Sequence, residues 1–211
     1  MLAGMYVPAH FQATPEQQSA LLAEPGLVDL ISPGPDGLVA TPLPMLYQPA
    51  EDGPGSLIGH LARNNPHWRC AGDSLAIVRG PDAYVSPSWY PSKAEHGRVV
   101  PTWNYLTLHV YGRLVIHDSA DWLRELVTRL TAVHEAAVGS SWQPSDAPAG
   151  YVDGQLRAIV GVELRISRIE AKAKLSQTRP EADQVSVIEA LDALPSRPGV
   201  AGMMRDGAGL A

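Results

Sequence analysis

The run VVPTWNYLTLHVYGRLVIHD, residues 99–118, alternates its side chains over an unusually long stretch. Leu106, Leu108, Val110, Gly112, Leu114 and Ile116 fall on one face, and Tyr105, Thr107, His109, Tyr111 and Arg113 on the other. A period of two means a β-strand, because successive Cβ atoms leave a strand on opposite sides. The first face reads as core. The second mixes aromatic and polar groups, which suits a subunit interface or a ligand wall better than open solvent.

The segments around this strand are shorter. Thr14-Pro15-Glu16-Gln17 has an N-cap, a proline at the first helical position and a capping-box glutamine, so a helix is expected to run to Pro25-Gly26. GLVDLIS and LVATPLPMLY flank the turn PGPDG and predict a hairpin, with Pro42 and Pro44 marking an edge or a bulge. SLIGHLARNNPHW predicts a strand that turns at Asn64-Asn65-Pro66. SLAIVRG and AYVSP, separated by Gly80-Pro81-Asp82, predict a second hairpin. Ser119 stands before a helical pattern through DWLRELVTRLTAVHEAAV that Gly139 ends, and SSWQPSDAPAGY reads as a Pro-rich loop. IVGVELRISRIEAK predicts another strand, residues 181–194 a closing helix, and residues 201–211 a flexible tail. The sum is a mainly β, α+β fold: one barrel domain over residues 1–200 with peripheral helices and a C-terminal helix. The strands are too closely spaced for a doubly wound sheet.

Composition excludes several functions. The chain has 211 residues, a net charge of −6 and a pI near 5.6, which suits non-specific DNA or membrane binding poorly. Cys70 is the only cysteine, so no internal disulfide or CxxC motif exists, and it reads as a small buried or half-buried hydrophobe. The seven histidines are scattered without HxH or HExxH spacing, so no metal ligand is assigned. No GxSxG, GxGxxG or Walker loop occurs, and no catalytic residue is assigned. With no basic leader and no bilayer-length apolar run, the expectation is a cytoplasmic protein without a membrane partner.

Two sets of residues suit phosphate recognition. Ser92, Lys93 and Arg98 lie in the loop before the long strand, and Arg63, Asn64 and Asn65 follow the end of another. Both place cations and hydrogen-bond donors at a strand terminus. Trp89, Tyr90, Trp103, Tyr105 and Tyr111 cluster in a chain with only 6% aromatics. Such a group can hold a flat heteroaromatic ring, pack a dimer interface, or do both. The run YPSKAEHGRVVPTWNY, residues 90–105, is therefore the expected functional centre.

These pieces resemble the PaiB-type FMN-binding negative transcriptional regulators. The matching segments are MYVPAHF at 5–11, GHLARNNPHW at 59–68, GPDAYVSPSWYPSK at 80–93, VVPTWNY at 99–105, HVYG at 109–112 and EAKAKLSQTR at 170–179. Their order and spacing carry the resemblance more than any one of them. It implies a split β-barrel of the pyridoxamine-phosphate oxidase kind, with FMN held across a homodimer interface. By that analogy Thr41 and residues 60–64, including His60, Arg63 and Asn64, border the phosphate and ribityl chain, with Arg63 as the phosphate cation and Lys93 as a secondary candidate. Trp103, Asn104 and Thr107 border the ring, and Lys174 and Gln177 close the pocket or approach it from the partner. Two positions depart from the family pattern: Pro42 stands where a histidine is usual, and Thr178 where an asparagine is. The resemblance favours a non-enzymatic, repressor-like role, with DNA reached directly or through another protein. The alternatives are an FMN-dependent oxidoreductase of the flavin-reductase or pyridoxamine-phosphate oxidase kind, and a haem-binding split barrel.

Overall fold

A computed structural model describes residues 4–194 and 199–208. The chain sorts into two compact units. One comprises Met1–Ser19, Arg79–Leu108 and Glu170–Ala211, the other Ala20–Val78 and His109–Ile169. The elements are α1 (Pro15–Ala23), β1 (Leu27–Gly34), β2 (Gly37–Gln48), β3 (Ser56–Ala62), β4 (Gly72–Val85), α2 (Ser92–His96), β5 (Thr102–His117), α3 (Ala120–Ala137), α4 (Ala149–Arg157), β6 (Ile159–Lys174), α5 (Glu181–Asp192) and α6 (Val200–Ala208). The six strands close a barrel in the order β1-β2-β3-β6-β5-β4, so the α+β split-barrel expectation holds.

In the second unit the hairpin β1–β2 runs from Leu27 opposite Pro44 to Gly34 opposite Gly37. Val28, Leu30, Leu43 and Met45 point inward and are almost fully buried. Pro42 and Pro44 pair only with β1, because β3 joins β2 from Met45 onward. The prolines thus occupy a local edge, where a missing N–H costs no ladder bond. β3 continues onto β6, with His60 opposite Gly161. Over this outer face lies α3, whose Leu126 and Leu130 pack on Ile58. Gly139 follows α3 and donates to the Ala136 carbonyl, the expected stop. On β5, burial alternates from Asn104 through Leu106, Leu108 and Val110, as the sequence period requires, and then Tyr111 and Gly112 are both buried. A Cβ on Gly112 would stand 2.2 Å from the Arg165 carbonyl, so only glycine fits this approach.

In the first unit α5 packs against α6. Ser92 donates to the Asp183 carboxylate from both its backbone N–H (3.1 Å) and its hydroxyl (2.7 Å). The N-terminal capping box forms as expected: Gln17 N–H donates to Thr14 Oγ1 at 3.2 Å, and Thr14 N–H to Gln17 Oε1 at 3.0 Å.

Three elements differ from the sequence expectation. Gly80-Pro81-Asp82 is no hairpin turn, because β4 runs straight through it. Burial falls on Ser74, Ala76 and Val78 before this point and on Ala83 and Val85 after it. That one-residue phase change is how a strand accommodates a bulge and tolerates proline. The Pro-rich loop contains α4, which starts directly after Pro148. The expected flexible tail is helix α6 as far as Ala208, anchored by Val200, Ala201 and Met204, each buried. Residues 209–211 lie outside the described residues.

Candidate functional site

In the second unit the polar residues expected near a phosphate form two closed networks. The first is buried. Asn65 Nδ2 donates to Thr41 Oγ1 (3.2 Å), Thr41 meets His67 Nδ1 (2.9 Å), and His67 Nε2 meets Ser32 Oγ (2.9 Å). Ser32 in turn meets Ser74 Oγ at 2.7 Å, and Ser74 donates to the Gly72 carbonyl at 3.2 Å. Proton directions follow from the last link. With the Ser74 hydrogen on Gly72, Ser32 donates to Ser74, so His67 Nε2 donates to Ser32. The charge state is set by burial: His67 is wholly enclosed, and desolvation holds its pKa below the ordinary histidine value, which favours the neutral ring with Nδ1 accepting from Thr41. In the neutral form the Thr41 hydroxyl hydrogen points to His67. His67 went unread in the sequence. Its only signal is the Asn65-Pro66 pair, where Asn65 caps the short turn Pro66–Arg69 by accepting from His67 N–H.

The second network holds Arg63. Its guanidinium grips Asp118 at 2.5 and 3.1 Å, while Nε and Nη2 donate to the carbonyls of Arg157 (2.8 Å) and Ile159 (2.9 Å). Arg63 N–H also donates to the Ala158 carbonyl. The side chain expected to hold a phosphate instead clamps the junctions before α3 and β6. Asn64 beside it is exposed.

His60 lies under α3. It pairs with Gly161, and a Cβ on Gly161 would stand 2.2 Å from the Trp122 ring. Trp122 stacks on His117 at 4.2 Å and 7°, and His117 Nε2 meets Glu163 Oε2 at 2.8 Å. Burial pulls the Glu163 carboxyl upward, but hydrogen bonds from His117 and Ser56 and the charge of Arg165 outweigh it and leave the pKa lowered. His60 Nδ1 is buried without a hydrogen-bond partner, and desolvation lowers its pKa. The ring is tucked beneath a helix, where burial favours its neutral form.

In the first unit, consecutive residues of β5 separate. Asn104 points inward and is wholly buried, exchanging hydrogen bonds with Ser176 Oγ (3.0 and 3.1 Å) and donating to Met204 Sδ. Trp103 and Thr107 share the opposite face, because strand neighbours alternate. Trp103 is 46% exposed, and Tyr84, equally exposed, meets it edge-on at 6.2 Å. Lys172 lies 5.7 Å from the centre of the Tyr105 ring on that same side. The three expected ring contacts thus divide: Trp103 and Thr107 face outward, and Asn104 supports them from the core.

Lys174 donates to Thr102 Oγ1 and to the Trp103 carbonyl (2.9 Å). Burial first, then the charges of Lys172 and Arg179, hold its ammonium below the ordinary lysine pKa. Gln177 turns its amide on its own loop, accepting from Leu175 N–H (2.7 Å) and donating to the Ala173 carbonyl (2.5 Å). It braces the turn. Ser176 within that turn has φ of +65°, a conformation that non-glycine residues rarely hold. Arg179 stacks on Tyr90 at 4.7 Å. The buried Tyr90 hydroxyl has no partner at hydrogen-bonding geometry, and burial raises its pKa, with Arg179 close enough to oppose part of that rise. Ser92, tied to Asp183, is committed, and Lys93 stands exposed on α2.

Among the described residues no group of three or more histidine, cysteine or acidic side chains is placed to hold a metal, and no helix is long and apolar enough to cross a membrane.

Comparison with known proteins identifies the family and the fold. Residues 5–168 match the family model described as "Putative FMN-binding domain". The chain is 30% identical over 208 residues to "Protease synthase and sporulation protein PAI 2" of Bacillus subtilis, covering 96% of this chain and 97% of that protein. Among solved structures, the conserved hypothetical protein Rv2991 of Mycobacterium tuberculosis superposes with a TM-score of 0.55 at 13% identity, over 84% of this chain and 95% of that one. The flavocytochrome Anf3 of Azotobacter vinelandii gives 0.54 at 16%, over 87% and 74%. Both structural likenesses concern the fold alone.

Proposed function

The chain belongs to the PaiB-type family of FMN-binding proteins, with FMN as its cofactor, and from that premise we propose that it acts as a flavin-holding homodimer in a regulatory role. The observation that carries the reading is the outer face of β5. Trp103 stays 46% exposed on a strand whose opposite face is closed by Asn104, Leu106 and Leu108. An exposed indole edged by Tyr84 offers a flat apolar wall to a ring system.

FMN fits what the first unit displays: aromatic edges for the isoalloxazine, and nearby cations for its anionic end. Bound, FMN supplies the redox chemistry itself. The residues do the holding. Trp103 and Thr107 present the wall, and Asn104 with Ser176 fixes the strand behind it. Tyr6 (80% exposed), Val100 (63%) and the touching pair Tyr84 and Trp103 are apolar side chains left exposed on this unit, which supports a second copy as their cover. A net charge of −6 supports DNA contact through a partner protein over a direct one.

The test is a flavin-fluorescence titration of purified protein, with the oligomeric state followed by sedimentation. Trp103→Ala weakens FMN at least tenfold, while Trp142→Ala, an equally exposed tryptophan of the second unit (47%), leaves it unchanged. Equal affinities in both variants would remove the β5 wall from the account. Steady NAD(P)H-dependent bleaching of the flavin would move the protein to the oxidoreductases.

A further inference from the structure

The first unit contains a cavity of about 220 Å³ lined by Phe11, Thr102, Lys174, Ser176, Thr178 and Arg179 among others. At ~30 Å³ for each water it has room for roughly seven. That admits an oxyanion and the few atoms bearing it, and is smaller than the ~300–1,000 Å³ typical of sites for whole organic ligands.

Its charge is one-sided. Lys174 and Arg179 line it, and Lys172 is close enough to act on Lys174. Lys174 contacts a hydroxyl and a carbonyl, Lys172 donates to the Tyr6 carbonyl, and Arg179 lies on the Tyr90 ring. Among the described residues none of the three has a carboxylate partner, although the chain carries 22 acidic groups against 16 lysines and arginines. Elsewhere arginines do find acids: Arg63 meets Asp118, Arg124 meets Asp153 and Arg165 meets Glu163. A cation cluster without a counter-charge destabilises itself by mutual repulsion, and a bound anion reverses that sign.

The cavity wall is also preformed. Gln177 ties the turn at both ends, Asn104 holds the Ser176 hydroxyl, and Ser176 keeps its left-handed backbone within that frame. Strain held by a fixed surround concentrates at binding sites, and a seat that need not reorganise loses little affinity to ordering. Thr178 adds an exposed hydroxyl at the rim.

We propose that this cavity is an oxyanion seat, in which Lys174, Arg179 and the hydroxyls of Thr102 and Thr178 receive a phosphate or phosphomonoester. The same chemistry has two sources, the phosphate of FMN itself or that of a separate ligand meeting the flavin. Only the choice between them rests on the FMN reading.

The probe is inorganic phosphate, titrated calorimetrically into the full chain, first free of FMN and then loaded with it. Phosphate binds the FMN-free protein, Lys174→Gln weakens it tenfold or more, and Lys174→Arg restores most of the loss. Because Lys174 also braces the chain before β5, Thr178→Val is the second variant. Its hydroxyl holds nothing in the fold, so it weakens phosphate several-fold at an unchanged melting temperature. Binding that persists in the FMN-loaded protein assigns the seat to a separate ligand. Binding lost with FMN yet kept with riboflavin assigns it to the flavin's own phosphate. No phosphate binding by the wild type, or equal binding by wild type, Lys174→Gln and Thr178→Val, overturns the seat. A protein that binds phosphate but no FMN overturns the functional reading and leaves the seat standing.

Discussion

Acidification should destabilise this protein through two histidines. His60 and His67 are both held below the ordinary value of 6.5 by burial, so the unfolded chain binds protons that the folded one refuses. For a base with a lowered folded pKa, stability is full only well above pH 6.5, where both states are neutral. Stability falls as the pH drops below 6.5, because proton uptake then favours the unfolded state. If neither ring titrates in the fold, lowering the pH from 6.5 to 5.5 costs about 1 kcal/mol for each, roughly 2 in all. At about 2–4 °C per kcal/mol for a chain of this size, the melting temperature drops by about 4–8 °C. Carboxylates with lowered pKa, Glu163 and Asp118, act below their ordinary values of 4.5 and 3.8 and so outside this window. The assay is thermal denaturation by circular dichroism at half-unit steps from pH 7.5 to 5.5. His67→Gln keeps one donor and one acceptor in the network but cannot titrate. It lowers the melting temperature throughout, yet should remove about half of the pH slope, and His60→Phe the other half. A slope untouched by both variants would refute the claim that these rings are neutral because they are buried.

Three further outcomes are expected. Arg63→Ala lowers the melting temperature, because it frees Asp118 and two carbonyls, yet changes FMN affinity less than twofold in a fluorescence titration; a tenfold loss would return the phosphate to Arg63. Gly161→Ala drives a methyl group into the Trp122 ring at 2.2 Å and within 3.0 Å of the His117 carbonyl, for a loss of about 1–3 kcal/mol in urea unfolding. Met204→Ala costs about 2–4 kcal/mol in the same experiment, because the side chain is 1% exposed; a loose tail would show no change.

Local rules made much of the fold legible. The strict alternation of residues 104–110 and the Thr14–Gln17 capping box each depend on neighbours close in sequence, and both formed as read. Gly80-Pro81-Asp82 misled, because turn chemistry alone cannot tell a hairpin from a bulge in a strand paired on both sides. Helix α6 was missed although Val200, Ala201 and Met204 lie on one helical face, the glycines around them having suggested a tail. The site was less legible than the fold. Arg63 looked available because its partner Asp118 lies 55 residues away. Trp103 and Asn104 looked like one wall until strand geometry put them on opposite faces. His67 gave only the local sign of the Asn65-Pro66 cap, since its partners Ser32 and Thr41 meet it only once β1 and β2 pair.

Hydrogen–deuterium exchange of the full chain with and without FMN tests the central claim most directly. A flavin on the outer face of β5 slows exchange in the segment before and into that strand, residues 97–107, and leaves residues 59–69 around Arg63 and His67 unchanged. FMN protection confined to residues 59–69, with 97–107 unaffected, would contradict it.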